Sequence, residues 1–238
     1  MRGRPPEERP AEGFRSGSAR RSSAGGGRDV PTARLDRRAI EAGGIELGRR
    51  DATFARILED CGPPPLWLRP QSLRTLVHIV LEQKVSLTSA LAVMGRVDAL
   101  CPAFDPASFL AVPEPALRGA GVSERKIGYC RALARALLDG SLSLPMLRRL
   151  DDTEVIERLT AVRGIGPWTA GVYLTMALAR QDAWPSGDRA LAVGVAERWA
   201  LDGVPSYPVL DTMAEAWRPW RGVASRLIWH GYLVRRGG

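Results

Sequence analysis

From Asp51 onward apolar residues recur at helical spacing, and no segment alternates convincingly with period two. Asp51 can cap a helix that carries Phe54, Ile57 and Leu58 on one face, and Gly62 with Pro63 stops it. Pro63, Pro64, Pro65 and Pro70 make a stiff connector. The stretch from Leu73 to about Val97 is too apolar all round for a surface helix, with Leu76, Val77, Ile79, Val80, Leu81, Val85, Leu87, Leu91 and Met94. It reads as a central buried helix, or as two with a break near Ser86. Glu82, Gln83 and Lys84 interrupt it, and at least one of them must face a groove or solvent. Asp105-Pro106 and Pro113 open two short helices, and Glu124–Leu138 is a longer one ended by Gly140. Asp152 or Thr153 can cap a helix over Glu154–Val162. Helices are further expected at Ala190–Trp199, at Asp211–Trp217, and from Pro219–Arg221 through Ala224, Leu227, Ile228 and Leu233, with a loop at Pro205–Pro208. The fold class is all-α with many short helices, and roughly 190 ordered residues suffice for a sizeable core.

The first fifty residues differ. Arg, Gly, Ser, Pro and Glu crowd them, and Phe14 is their one aromatic. Such a composition buries too little apolar surface to offset the entropy of ordering, so residues 1–45 are expected to be a disordered basic tail and 46–238 the helical domain. The tail lacks the apolar stretch of a signal peptide, and no apolar run elsewhere could span a bilayer. A soluble, cytoplasmic chain without membrane partners is therefore expected. The formal charge of +8 points towards nucleic acid, but twelve Arg against seven acidic residues fall in the first fifty. The basic residues are nearly all Arg, Lys84 and Lys126 being the two lysines, which looks partly like coding bias. The tail is either a salt-dependent tether to DNA or a solvated low-complexity extension. Cys61, Cys101 and Cys130 show no CxxC or CxxH spacing, so they make neither a metal site nor a disulfide framework.

The stretch from Leu159 to Asp188 carries the chemistry. Gly164-Ile165-Gly166-Pro167 reads as a tight turn feeding a helix N-terminus, with proline at the first helical position where its missing N–H costs nothing. Free N–H groups reached through a glycine turn suit an anion, commonly a phosphate. Taken alone, the same four residues could be an ordinary helix–helix turn. Asp188, after Pro185-Ser186-Gly187, can serve as the N-cap of the helix that follows.

Leu159-Thr160-Ala161-Val162-Arg163-Gly164-Ile165-Gly166-Pro167-Trp168-Thr169-Ala170, with Asp188 one helix downstream, resembles the helix–hairpin–helix/Gly-Pro-Asp DNA glycosylase superfamily. Within it the chain looks most like the DNA-3-methyladenine glycosylase II branch. Glu82-Gln83-Lys84-Val85-Ser86, Gly121 to Lys126, and Trp217-Arg218-Pro219-Trp220-Arg221 with Ile228-Trp229 support that branch. The resemblance covers roughly residues 50–235 and implies two helical lobes flanking an active-site cleft. The N-terminal β domain of the longer bacterial enzymes is not expected, because residues 1–50 could not form it.

The resemblance implies base-excision repair of double-stranded DNA: hydrolysis of the bond between an alkylated purine, 3-methyladenine or 7-methylguanine, and deoxyribose. Asp188 would stabilise the positive charge that builds on the sugar. Trp168 stands where strand-cutting relatives carry a lysine, so the implied enzyme is monofunctional. Trp229 and Trp168 would line the pocket for a cationic base, unless they are core, and Val172 marks a departure from the Tyr often found at that position. Arg163, Gly164, Ile165, Gly166 and Thr169 would hold a DNA phosphate, Lys84 would fill the gap left by the flipped base, and Gln83 and Ser86 would also meet DNA. No organic cofactor is implied. Relatives often hold a monovalent cation on hairpin carbonyls, and nothing in this sequence speaks for or against one. A monomer is expected. The open alternatives are a non-catalytic damage sensor and a glycosylase for another lesion such as uracil.

Overall fold

The structure, a computed structural model, describes residues 34–237. Helices α1 (Arg37–Arg50) and α2 (Ala52–Cys61) lead through the proline connector to α3 (Leu73–Glu82) and α4 (Leu87–Leu100). The short α5 (Pro106–Ala111) and α6 (Glu114–Gly119) precede α7 (Glu124–Leu138) and the single-turn α8 (Leu144–Leu147). Next come α9 (Asp152–Thr160) and α10 (Pro167–Met176), then α11 (Arg189–Arg198), α12 (Tyr207–Glu215) and α13 (Arg221–Val234). Among the described residues there is no strand, only one isolated bridge between Arg34 and Arg180. No described helix is long and apolar enough to cross a membrane.

The break near Ser86 is real: Ser86 caps α4, its Oγ accepting from the Ser89 N–H at 3.2 Å. The expectation that both halves are buried holds for α3 and fails for α4. Leu87 and Leu91 are 50% and 58% exposed, because α4 buries only the stripe of Ala90, Met94 and Val97. The α9 cap is Asp151 rather than Asp152 or Thr153. Asp151 accepts from the Glu154 N–H while Glu154 reaches back to the Asp151 N–H, a reciprocal pair that only this register allows. α12 starts four residues earlier than expected, with Pro208 at its second position, where a proline needs no partner for its nitrogen.

Two apolar clusters build the molecule. The first gathers α3, α4, α7, α9 and α10 around Leu76, Ile79, Leu133, Leu159 and Tyr173. The second gathers α1, α2, α11 and α13 around Ile40, Phe54, Val195, Leu227 and Ile228. These are the two lobes. Arg226, fully buried on α13, ties them: its guanidinium donates to the carbonyls of Leu66, Gly222 and Thr175 at 2.9, 3.0 and 2.6 Å. Burial pushes this group down to about 9, so it remains charged at neutral pH.

The expected tail to residue 45 needs correction. Residues 1–33 lie outside the described residues, but α1 begins at Arg37, with Asp36 accepting from the Ala39 N–H at 2.8 Å as its cap. Leu35, Ile40 and Leu47 are buried in the second cluster. The glycines that suggested disorder are what allow docking. A Cβ on Gly43 would sit 2.5 Å from the ring of Trp220, so only glycine lets α1 lie against α13 there.

Candidate active site

The hairpin between α9 and α10 is set by local geometry. Gly164 has φ +89 and a Cβ there would run into the ring of Tyr129 on α7, so glycine is required twice over. Ile165 is buried in the first cluster and anchors the turn, its N–H donating to Val162 O at 3.1 Å. Gly166 precedes α10 with extended backbone and open space around its Cβ position, and no side chain caps the helix. The N–H groups of Gly166, Trp168 and Thr169 have no acceptor among the described residues. Arg163 beside them is exposed and makes no hydrogen bond or ion pair among those residues.

Twenty residues after Trp168, Asp188 stands at the N-terminus of α11, 6% exposed. Its Oδ1 accepts from the Leu191 N–H at 2.8 Å, so the helix-cap role is present. Both tryptophans expected at the site converge on the same carboxylate. Trp168 Nε1 donates to Oδ2 at 2.8 Å, and Trp229 Nε1 donates to Oδ1 at 3.2 Å. Trp168 belongs to the first lobe and Trp229 to the second, so Asp188 sits at their junction. A surface cavity of about 340 Å³ near Leu73, Phe104 and Leu144 shares none of these residues, so concavity alone does not find the site.

The loop that delivers Asp188 is held from two sides. On α10, Gly171 lets the chain approach so closely that a Cβ would lie 2.6 Å from Pro185 Cα. On α12, Asp211 accepts from Trp184 Nε1 at 2.8 Å and from Ser186 Oγ at 2.6 Å. Gly187 at φ +84 then turns the backbone beside Trp168. The chain's fold is shared by solved structures. A DNA-3-methyladenine glycosidase of Bacillus halodurans is 30% identical, with a TM-score of 0.68 over 82% of this chain and 91% of that one. The chain belongs to the helix–hairpin–helix DNA glycosylases. The Schizosaccharomyces pombe 3-methyladenine DNA glycosylase bound to abasic DNA, 24% identical, shares the fold with a TM-score of 0.75 over 82% of this chain and 97% of that one. A Bacillus subtilis relative whose name places it among DNA-3-methyladenine glycosylases is 27% identical over 185 residues, 74% of this chain. The chain spans 64% of that relative's length. No family model matches the chain.

In this glycosylase the α3–α4 turn leans on the hairpin. Gln83, expected to meet DNA, instead spends both amide hydrogens internally: Nε2 donates to Gly164 O at 3.1 Å and to Thr169 Oγ1 at 3.0 Å. Thr169 is accordingly buried, so its side chain faces Gln83 and only its N–H is free for a phosphate. Ser86 is occupied as the α4 cap. Lys84 stands exposed at the tip with φ +57, next to exposed Val85. The turn is braced below: Lys126 Nζ donates to Leu81 O at 2.7 Å, and Arg69 pairs with buried Glu82 at 2.6 Å. Burial pushes the Lys126 ammonium down from its ordinary value.

Val172, expected at the pocket, packs inward. It is 3% exposed and packed in the first cluster, because α10 is buried on almost every side. Tyr173 beside it is fully buried, and burial pushes its phenol well above the usual range. Trp199 and Trp217 are structural: their ring centroids lie 5.1 and 5.4 Å from that of Phe54 and 5.8 Å from each other, and Trp199 Nε1 donates to Asp51 at 2.7 Å. Arg218 and Arg221 of the Trp-Arg-Pro-Trp-Arg stretch pair with Asp182 and Glu215. Gly171 and Asp211 were not anticipated from the sequence. The i, i+3 and i+4 pattern of α10 and α12 carries no sign of what crosses them.

Proposed function

We propose that this glycosylase is a monofunctional member of the DNA-3-methyladenine glycosylase II branch. It would hydrolyse the N-glycosidic bond of 3-methyladenine and 7-methylguanine in double-stranded DNA. The observation that carries this reading is Asp188 held between Trp168 and Trp229 beside a hairpin with free N–H groups. The names of the Bacillus halodurans and Schizosaccharomyces pombe proteins support the choice of lesion.

In this reading each residue has a task. Backbone N–H groups of Gly166, Trp168 and Thr169, with Arg163, hold a phosphate next to the lesion. The base leaves the stack at a cost of a few kcal/mol, and exposed Lys84 with Val85 enters the gap. The partly exposed ring of Trp168 offers its face to the cationic base, worth about 0.5–2 kcal/mol. When the bond from C1′ to the base nitrogen breaks, the cationic base departs neutral with the bonding electrons, so it needs no proton. The charge left on C1′ and the ring oxygen is stabilised by the Asp188 carboxylate, whose direction the indoles fix beforehand. Water adds to C1′ and releases its proton, leaving an abasic site. Trp168 has no amine to form a Schiff base, so the strand stays intact. This scheme requires no organic cofactor. The carbonyls of Arg163 and Ile165, without partners among the described residues, are those that would hold a monovalent cation.

The test is release of free base from methylated duplex and from a uracil-containing duplex, followed by borohydride trapping. Expected are free methylpurine, no uracil and no covalent adduct. Uracil without methylpurine would overturn the lesion choice, no release of either would overturn catalysis, and a trapped adduct would overturn monofunctionality.

A further inference from the structure

We propose that Asp211 is a positioning residue for Asp188, acting through the loop that carries it. Both Asp211 oxygens are engaged by that loop: Oδ1 by Trp184 Nε1 at 2.8 Å and Oδ2 by Ser186 Oγ at 2.6 Å. The donors are four and two residues ahead of Asp188, so one carboxylate fixes both the place and the direction of the approaching chain. The loop's own backbone bonds are weak guides: Ser186 N–H to Trp184 O at 3.1 Å and Asp188 N–H to Pro185 O at 3.3 Å, followed by Gly187 at φ +84. On the opposite side Pro185 lies against Gly171 of α10. The loop is therefore clamped between α10 and α12, and Asp211 is the polar half of the clamp. Trp184 also packs edge-on against Trp217 at 5.4 Å, which holds its ring but not the loop's rotation. Releasing the Asp211 contacts frees the carboxylate to drift from the indoles of Trp168 and Trp229.

Asparagine separates geometry from charge, because its oxygen can accept from the Trp184 indole and its amide can donate to Ser186. The kinetic arm rests on the glycosylase reading above; a second arm does not. In Asp211→Ala, single-turnover release of methylpurine is expected to fall about ten- to a hundredfold, as misplacement of a reacting group does. Affinity for abasic-site duplex should stay within about twofold, and Asp211→Asn should restore most of the rate. In the same variants, proton NMR of the Trp168 indole N–H should show about tenfold faster solvent exchange for Asp211→Ala and near wild-type exchange for Asp211→Asn. Ser186→Ala and Trp184→Phe, each losing one contact, should fall between and add nothing to Asp211→Ala, which keeps the test open if that variant folds poorly. Unchanged indole exchange in Asp211→Ala, or an equal loss in Asp211→Asn, would overturn the assignment. If the wild type releases no methylpurine, the functional reading fails and the indole exchange alone decides the role of Asp211.

Discussion

Trp168 Nε1 lies 2.8 Å from Asp188 Oδ2, and this contact joins the N-terminus of α10 to that of α11. Trp229 takes the other oxygen from the second lobe. The carboxylate is thus oriented by both halves of the molecule before DNA arrives. A carboxylate fixed in advance needs no reorganisation to meet a positive charge.

Trp168→Phe keeps an aromatic ring and removes only that donor. A hydrogen bond to a charged group is worth about 1.5–3 kcal/mol, so single-turnover base release should fall about ten- to a hundredfold. Because the bond is already made in the free protein, Tm should also fall by a few degrees. Wild-type rates in this variant would show that the indole N–H contributes nothing to catalysis.

Gly164→Ala tests the hairpin. The φ of +89 and the ring of Tyr129 both oppose a methyl group, and such strain costs on the order of 1–3 kcal/mol. Binding to abasic-site duplex, followed by fluorescence anisotropy, should weaken at least tenfold while the helical content persists. Adding Tyr129→Ala should recover part of the loss, because it removes the clash and leaves the φ. No loss of affinity in Gly164→Ala would mean that the hairpin does not hold the DNA.

Below the α3–α4 turn, His78 gives the fold a pH dependence. Burial pushes its pKa down from 6.5, Arg69 and Arg74 push the same way, and Glu82 and Asp98 oppose them. As pH falls through 6.5 the unfolded chain takes up a proton before the folded one does. The stability present above 6.5 is therefore lost on acidification, at no more than about 1.4 kcal/mol per pH unit, and the loss levels off below the folded value. Denaturant unfolding of wild type and His78→Leu from pH 8 to 5 should give curves that diverge below 6.5, with the wild type falling faster. Parallel curves would rule out His78 as the source.

How much of this the sequence discloses depends on the range of each signal. The Gly164–Pro167 turn, the Asp188 cap and the break at Ser86 are local patterns and stand where expected. The bond from Gln83 to the hairpin could not be read, because its partner, Gly164, lies 81 residues away and nothing in the spacing links them. For the tryptophans, their place at the site was legible through resemblance, but their N–H bonds to Asp188 are tertiary. Val172 was taken as a pocket position from its spacing after Trp168, yet α10 is buried almost all round and has no free face there. The composition around Gly43 and Gly44 suggested disorder, where close packing against Trp220 and Leu58 gives those glycines a different purpose.

The catalytic assignment of Asp188 is tested most directly by Asp188→Asn assayed for methylpurine release under single-turnover conditions. Asparagine caps helices as well as aspartate does, so the fold should persist, with one indole N–H left unpaired. Affinity for abasic-site duplex should stay near wild type while the excision rate drops by about 10²- to 10³-fold or more. Full activity in this variant would contradict the role given to Asp188.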